Sequence, residues 1–380
     1  MKLLHAIWAL AVVSGLGCGS DAARTSSDGS DAAAGGTDAS GGSDAATRDG
    51  GAVDASVKDS SAGGSDSAAA DASATDGSSS ADSSSTDASL VVRDPNADGP
   101  FAYAERDATT TVASTGDSVA IHVAYPTTAG TYPVVVFGHG LQLAPSQYYS
   151  YVKRLASFGY VALTVDFPGS IIGTNNPNEA KDMIAGIDWA KNDAMLGPIV
   201  DAANVAMSGH SLGGKVALLA ATMDARVKAS LVLDPVDGGG PNGCNAPACV
   251  TVATLMPALH IPTGFVGETT DAMGGFMPCA PAASNFTTFY SRTNSPSVQI
   301  TAAGANHMSF LDDVGSCGLT CSFCQMATAT NAQVTAMTRA LMVAFYERHL
   351  RGNIAYDAYI TGAQAQARYV ATQQATITSK

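Results

Sequence analysis

The chain has 380 residues, 46% of them hydrophobic, and its 19 Lys and Arg against 33 Asp and Glu leave a net charge of −14. That balance argues against a nucleic-acid partner, which would demand a basic face. The length allows one large core beside a polar leader.

Residues 1–18 read as an export signal. Met1 to Gly17 carries one Lys, then the apolar run Leu3, Leu4 and Ala6 to Val13, then small residues; the run is too short to span a membrane. Cys18 follows Ser14-Gly15-Leu16-Gly17. This resembles a bacterial lipoprotein signal, in which the cysteine becomes the lipidated N-terminus, with the usual Leu displaced to Leu16. The alternative is ordinary cleavage and a soluble secreted protein. Either reading puts the chain outside the cytoplasm, and the first anchors it to a bacterial membrane through Cys18.

Residues 19–90 are almost wholly Ser, Ala, Gly, Asp and Thr, with no aromatic residue, and cannot bury enough apolar surface to offset the entropy of ordering. Thirteen aspartates against Arg24, Arg48 and Lys58 place ten of the fourteen net negative charges here. We read the segment as a disordered, self-repelling linker that reaches roughly 50 Å from an anchor.

Residues 91–380 read as one domain in which apolar runs alternate with helical patterns, as in a mostly parallel sheet with helices on both faces. In chain order, Thr109 to Tyr125 looks like an opening hairpin turning at Ser114 to Asp117, and Pro133 to Phe137 is a buried strand. A helix over Ser146 to Ser157 precedes the strand Tyr160 to Val165, and a helix over Asn178 to Asn192 precedes a strand at Asn204 to Ser208. Leu212 to Met223 is helical; strands follow at Ala229 to Leu233, Pro262 to Val266 and Ser297 to Ala302. The last helix, Asn331 to Leu350, carries Val334, Met337, Leu341 and Phe345 at spacings that give one apolar stripe.

Chemistry enters at Gly209-His210-Ser211-Leu212-Gly213, a G-x-S-x-G between a strand and a helix. Such a turn exposes a serine hydroxyl, and its glycines allow strained backbone and close helix–strand packing. Hydrolysis by a serine further needs a base, an acid to orient the base, and two N–H donors for the oxyanion. His307 is the base candidate, because it lies in the loop after the last strand. His122, His260 and His349 read as satisfied surface histidines, and His210 as a neighbour unsuited to act on the serine. Asp234 and Asp271 both end strands and both qualify as the acid; Asp237 and Glu268 read as solvated or structural. Gly138-His139-Gly140-Leu141 follows a strand where a second oxyanion donor is wanted, so the donors are assigned to the N–H groups of Leu212 and Leu141. The order Ser, Asp, His is that of an α/β-hydrolase.

The chain resembles the chlorophyllase family of α/β-hydrolases over Thr131 to Gly352. The landmarks are His139-Gly140, Gly209 to Lys215, Asp234 to Gly238, Pro278 to Pro281, Asn306 to Asp313 and Met342 to Phe345. The resemblance implies Ser211 as nucleophile, His307 as base and Asp234, ahead of Asp271, as acid. It departs from the family where Leu212 stands in place of the usual Arg and Asn306 in place of a Gly. The chain is also broadly similar to polyester hydrolases and cutinases, notably in Gly99-Pro-Phe-Ala.

Beyond Cys18, six cysteines remain: Cys244, Cys249, Cys279, Cys317, Cys321 and Cys324. In an exported domain they read as disulfides stapling the site walls, their pairing left open. A zinc site at Cys317, Cys321 and Cys324 lacks a matching second motif. Gly238 to Gly243 and Thr174 to Asn178 are candidate substrate loops. The expectation is a monomeric serine carboxylic-ester hydrolase working through an acyl-enzyme, with no metal or cofactor and a small or polymeric ester as substrate. The alternatives are a polyester or lipid hydrolase and a non-catalytic binding protein on the same scaffold.

Overall fold

Tyr132–Gly138 (β3) is buried at every position, as a strand covered on both faces must be. It sits inside a nine-stranded sheet formed by the residues that this computed structural model describes: 92–168, 174–238, 244–273 and 278–380, without the side chains of 319 and 320. Cys18, the signal, the linker and residues 239–243 of the glycine-rich loop lie outside the described residues.

The other strands are Tyr103–Thr111 (β1), Ser118–Pro126 (β2), Val161–Asp166 (β4), Val200–His210 (β5), Val227–Leu233 (β6), Thr263–Gly267 (β7), Ser297–Ala302 (β8) and Ala375–Ser379 (β9). Their spatial order is β1-β2-β4-β3-β5-β6-β7-β8-β9. Neighbours from β4 through β8 pair in parallel. The pairs β1–β2, β2–β4 and β8–β9 are antiparallel. This is the mostly parallel sheet of an α/β-hydrolase.

Side chains alternate between faces along each strand, so the sheet divides the core in two. One cluster takes Val135, Phe137, Ala162 and Ala206 with the helices Tyr149–Ser157 (α1) and Asn331–His349 (α5). The other takes Val134, Val136, Leu163 and Met207 with Asn176–Asn192 (α2), Leu212–Met223 (α3) and Phe286–Arg292 (α4). The helix α5 exceeds the single stripe read from its sequence. Every residue from Ala340 to Glu347 is buried, because Tyr356, Ile360, Ala365 and Tyr369 of the C-terminal segment pack in the same cluster. β9 was not anticipated; Ala375 pairs with Ala302 at its start.

The candidate substrate loop at Thr174 to Asn178 runs into α2: Asn175 caps the helix by accepting the Asn178 N–H, and buried Asn176 accepts the Val250 N–H. Asp237 takes the structural of its two readings. Its side chain is 3% exposed, pairs with the fully buried Lys215 at 3.3 Å, and accepts the N–H groups of Val252 and Ala253.

Candidate active site

Parallel strands deliver their carboxyl ends to one edge of the sheet, where α/β proteins place their sites. Ser211 follows β5, Asp234 follows β6, Glu268 and Asp271 follow β7, His307 follows β8, and His139 to Leu141 follow β3. Residues far apart in the sequence thus converge.

Ser211 holds φ +55° and ψ −119° between β5 and α3. A non-glycine residue there is strained, and such strain is tolerated when the surroundings over-determine it. The surroundings are the glycines: a Cβ on Gly209 would lie 2.5 Å from the Gly213 carbonyl, and one on Gly213 would lie 2.2 Å from the Gly138 carbonyl oxygen. No side chain fits at either position, so the turn brings β3, β5 and α3 together around the serine.

The Ser211 hydroxyl lies 2.8 Å from His307 Nε2. On the far side of the ring, His307 Nδ1 donates to Asp234 Oδ2 at 2.6 Å. Asp234 is fully buried and also adopts a positive φ, +39°. Asp271 meets the same histidine differently: its Oδ2 accepts the His307 backbone N–H at 2.8 Å, and its Oδ1 accepts the Gln325 N–H at 2.6 Å. Of the two acids left open by strand position, only Asp234 faces the imidazole.

Glu268 was expected to be solvated or structural, and it is fully buried. Burial and the neighbouring Asp234 push its carboxyl up to about 9, so at neutral pH it keeps its proton. Its Oε1 finds no hydrogen-bond partner among the described residues. Burial also raises Asp234, while the His307 ring N–H pulls it back toward the carboxylate. With the proton on Glu268, the negative charge beside the imidazole rests on Asp234. Asp234, Glu268 and His307 bring metal-ligand atoms within 4.8 Å of one another. Two of those side chains, however, already join Ser211 in one hydrogen-bonded line.

Among the described residues neither the Leu212 N–H nor the Leu141 N–H has an acceptor. Their side chains line a cavity of about 370 Å³ together with His139, Phe167 and Pro168. Asn306 holds the turn: its amide donates to the Gln325 carbonyl at 2.6 Å, and with Ser309 it forms a capping box at the His307 turn. Disulfides join Cys244 to Cys249, Cys279 to Cys324 and Cys317 to Cys321. The three cysteines considered for zinc are thereby divided between two bridges. Cys279–Cys324 ties the segment after β7 to the one after β8, next to Gln325.

A family model described as chlorophyllase matches residues 92–375. The chain belongs to the chlorophyllase family. Membership makes it a carboxylic-ester hydrolase of the α/β type. It is 29% identical to Chlorophyllase-1 of Arabidopsis thaliana over 255 residues, 63% of this chain and 78% of that one. It is 24% identical to a bis(hydroxyethyl) terephthalate hydrolase of Streptomyces coelicolor over 193 residues, 51% of this chain and 55% of that one. With Cutinase 2 of Thermobifida cellulosilytica it shares 29% identity over 139 residues, 36% of this chain and 52% of that one. The chain thus spans about half the length of each of the last two relatives.

Proposed function

We propose that this chlorophyllase-family chain hydrolyses carboxylic esters through an acyl-enzyme formed on Ser211. The observation that carries the reading is the unbroken line from Ser211 Oγ through His307 to Asp234, with spacings of 2.8 and 2.6 Å. His307 Nε2 takes the serine proton as Oγ attacks the ester carbonyl, and Asp234 holds the Nδ1–H tautomer and stabilises the imidazolium. The free N–H groups of Leu212 and Leu141 receive the developing oxyanion. The imidazolium then protonates the departing alcohol, and water repeats the sequence to release the acid.

For the substrate, the family supports a chlorophyllase-like ester. A second reading, a polyester or lipid ester, draws on the terephthalate-ester hydrolase and cutinase among the relatives. It also draws on Leu212, an uncharged side chain where chlorophyllases usually carry Arg, which lines the cavity with Leu141 and Phe167. The signal-like residues 1–18 and the acidic linker support a tethered protein outside the cytoplasm, lipidated at Cys18. Labelling by a fluorophosphonate probe tests the nucleophile: a single adduct on Ser211 is expected, and an unlabelled folded protein would instead favour a binding protein on this scaffold. Nitrophenyl esters of graded acyl length, run beside chlorophyll and a polyester film, separate the two substrate readings. Globomycin-sensitive processing and radiolabelled palmitate incorporation at Cys18 test the anchor.

A further inference from the structure

His210 stands outside the line from Ser211 to Asp234, yet it is fully buried and bonded at both ring nitrogens. Nε2 lies 2.9 Å from the His307 backbone carbonyl, and Nδ1 lies 2.8 Å from the Tyr148 hydroxyl. The Tyr148 oxygen in turn accepts the Gly140 N–H at 3.2 Å. We propose that His210 is a positioning residue which, with Tyr148, ties the oxyanion loop after β3 to the backbone of the histidine after β8. The proposal rests on the reading of Ser211 and His307 given above.

The direction of each bond follows from chemistry. A backbone carbonyl can only accept, so His210 Nε2 carries a hydrogen. Burial, reinforced by the neighbouring His307, drives the His210 imidazole well below its ordinary value, and the ring is neutral with a bare Nδ1. The Tyr148 hydroxyl must then donate to Nδ1, which leaves its oxygen free to accept from Gly140. One consequence concerns the oxyanion. The Gly140 N–H is consumed by Tyr148, whereas the next N–H in the chain, that of Leu141, stays free.

Packing makes the connection stiff. The His210 ring lies 4.7 Å from the His307 ring and 5.8 Å from that of Phe310, centroid to centroid. Gly140 packs closely on the ring: a Cβ there would sit 3.1 Å from His210 Nδ1 and would push Leu143 Cδ1, 2.7 Å away, aside. The histidine backbone is thus held from two sides, its N–H by Asp271 and its carbonyl by His210. Loss of one hold lets Nε2 drift from the serine, and a displacement of about 1 Å at a reacting group can cost about a hundredfold in rate.

The test is a set of variants of the full chain assayed on a nitrophenyl ester, with fold checked by circular dichroism and melting. His210→Phe keeps the ring volume and removes both bonds; kcat should fall about a hundredfold with KM within about threefold. His210→Gln, which restores an N–H donor, should recover most of that loss. Tyr148→Phe should lower kcat about tenfold and add almost nothing in the His210→Phe background, since it acts through the ring. A merely structural tyrosine would give losses that multiply. The proposal is overturned if folded His210→Phe keeps kcat within about twofold of the parent, if the loss falls on KM alone, or if the two losses multiply. Should the His210 variants not fold, Tyr148→Phe decides by itself: reduced kcat at constant KM supports the link, and unchanged kcat removes it. Ser211→Ala separates the two readings, because activity surviving there sinks the nucleophile assignment, not only this connection.

Discussion

Asp271 grips His307 by its backbone and Asp234 grips it by its ring, at 2.8 and 2.6 Å respectively. Two fully buried aspartates at adjacent strand ends therefore act on one histidine in different ways. The ring contact sets the tautomer and stabilises charge in the transition state. The backbone contact sets where the loop lies.

That division predicts an unequal mutant pair. Asp234→Asn keeps the shape but forces the wrong imidazole tautomer, and kcat should fall on the order of ten-thousandfold with little change in KM. Asp271→Asn keeps a side-chain carbonyl oxygen that can still accept the His307 N–H, and should cost less than about tenfold. Steady-state kinetics on one ester decide it. The reverse ranking would move the acid one strand along.

A second prediction concerns Glu268 and pH. Its carboxyl is raised in the folded state from an ordinary 4.5 to about 9, so between those values the native protein holds a proton that the unfolded chain lacks. Stability from this group is fully present below pH 4.5 and is lost as pH rises toward 9, at a slope of up to about 1.4 kcal/mol per pH unit. Glu268→Gln mimics the protonated acid and should flatten this slope. Urea unfolding of both proteins at several pH values measures it, and parallel stability curves would contradict the assignment of the proton.

The disulfides offer a third. Cys279–Cys324 closes a loop with a sequence separation of 45, which in the chain-entropy account is worth about 4 kcal/mol. Its reduction also loosens Gln325, whose N–H is bonded to Asp271. Mild reduction, or Cys279→Ala with Cys324→Ala, should lower the melting temperature and reduce kcat together. Thiol titration of denatured, unreduced mature domain should find these six cysteines oxidised; several free thiols among them would contradict the pairing.

Much of this site was legible in the chain because its signals are local. Gly209, Ser211 and Gly213 sit between a recognisable strand and an Ala- and Leu-rich helix, and His307 follows the last long strand. The choice between Asp234 and Asp271 was not local: both end strands, and only the register of β6 against β7 and the positive φ of Asp234 aim one of them at the ring. In the sequence, the family resemblance and not the spacing favours Asp234. His210 is illegible for the same reason: its role depends on Tyr148 and His307, 62 and 97 positions away. The run Ala375 to Ser379 is a strand only because β8 offers it an edge.

The central claim is that Ser211 is the nucleophile, and the most direct measurement is the rate of purified Ser211→Ala on a chromogenic ester. The variant should fold as the parent does, with Leu212, Leu141 and the cavity unchanged. Its kcat should fall by roughly a million-fold, to the residual that binding and oxyanion donors supply in comparable triads. A folded Ser211→Ala protein that keeps more than a few per cent of the parental rate would contradict the account.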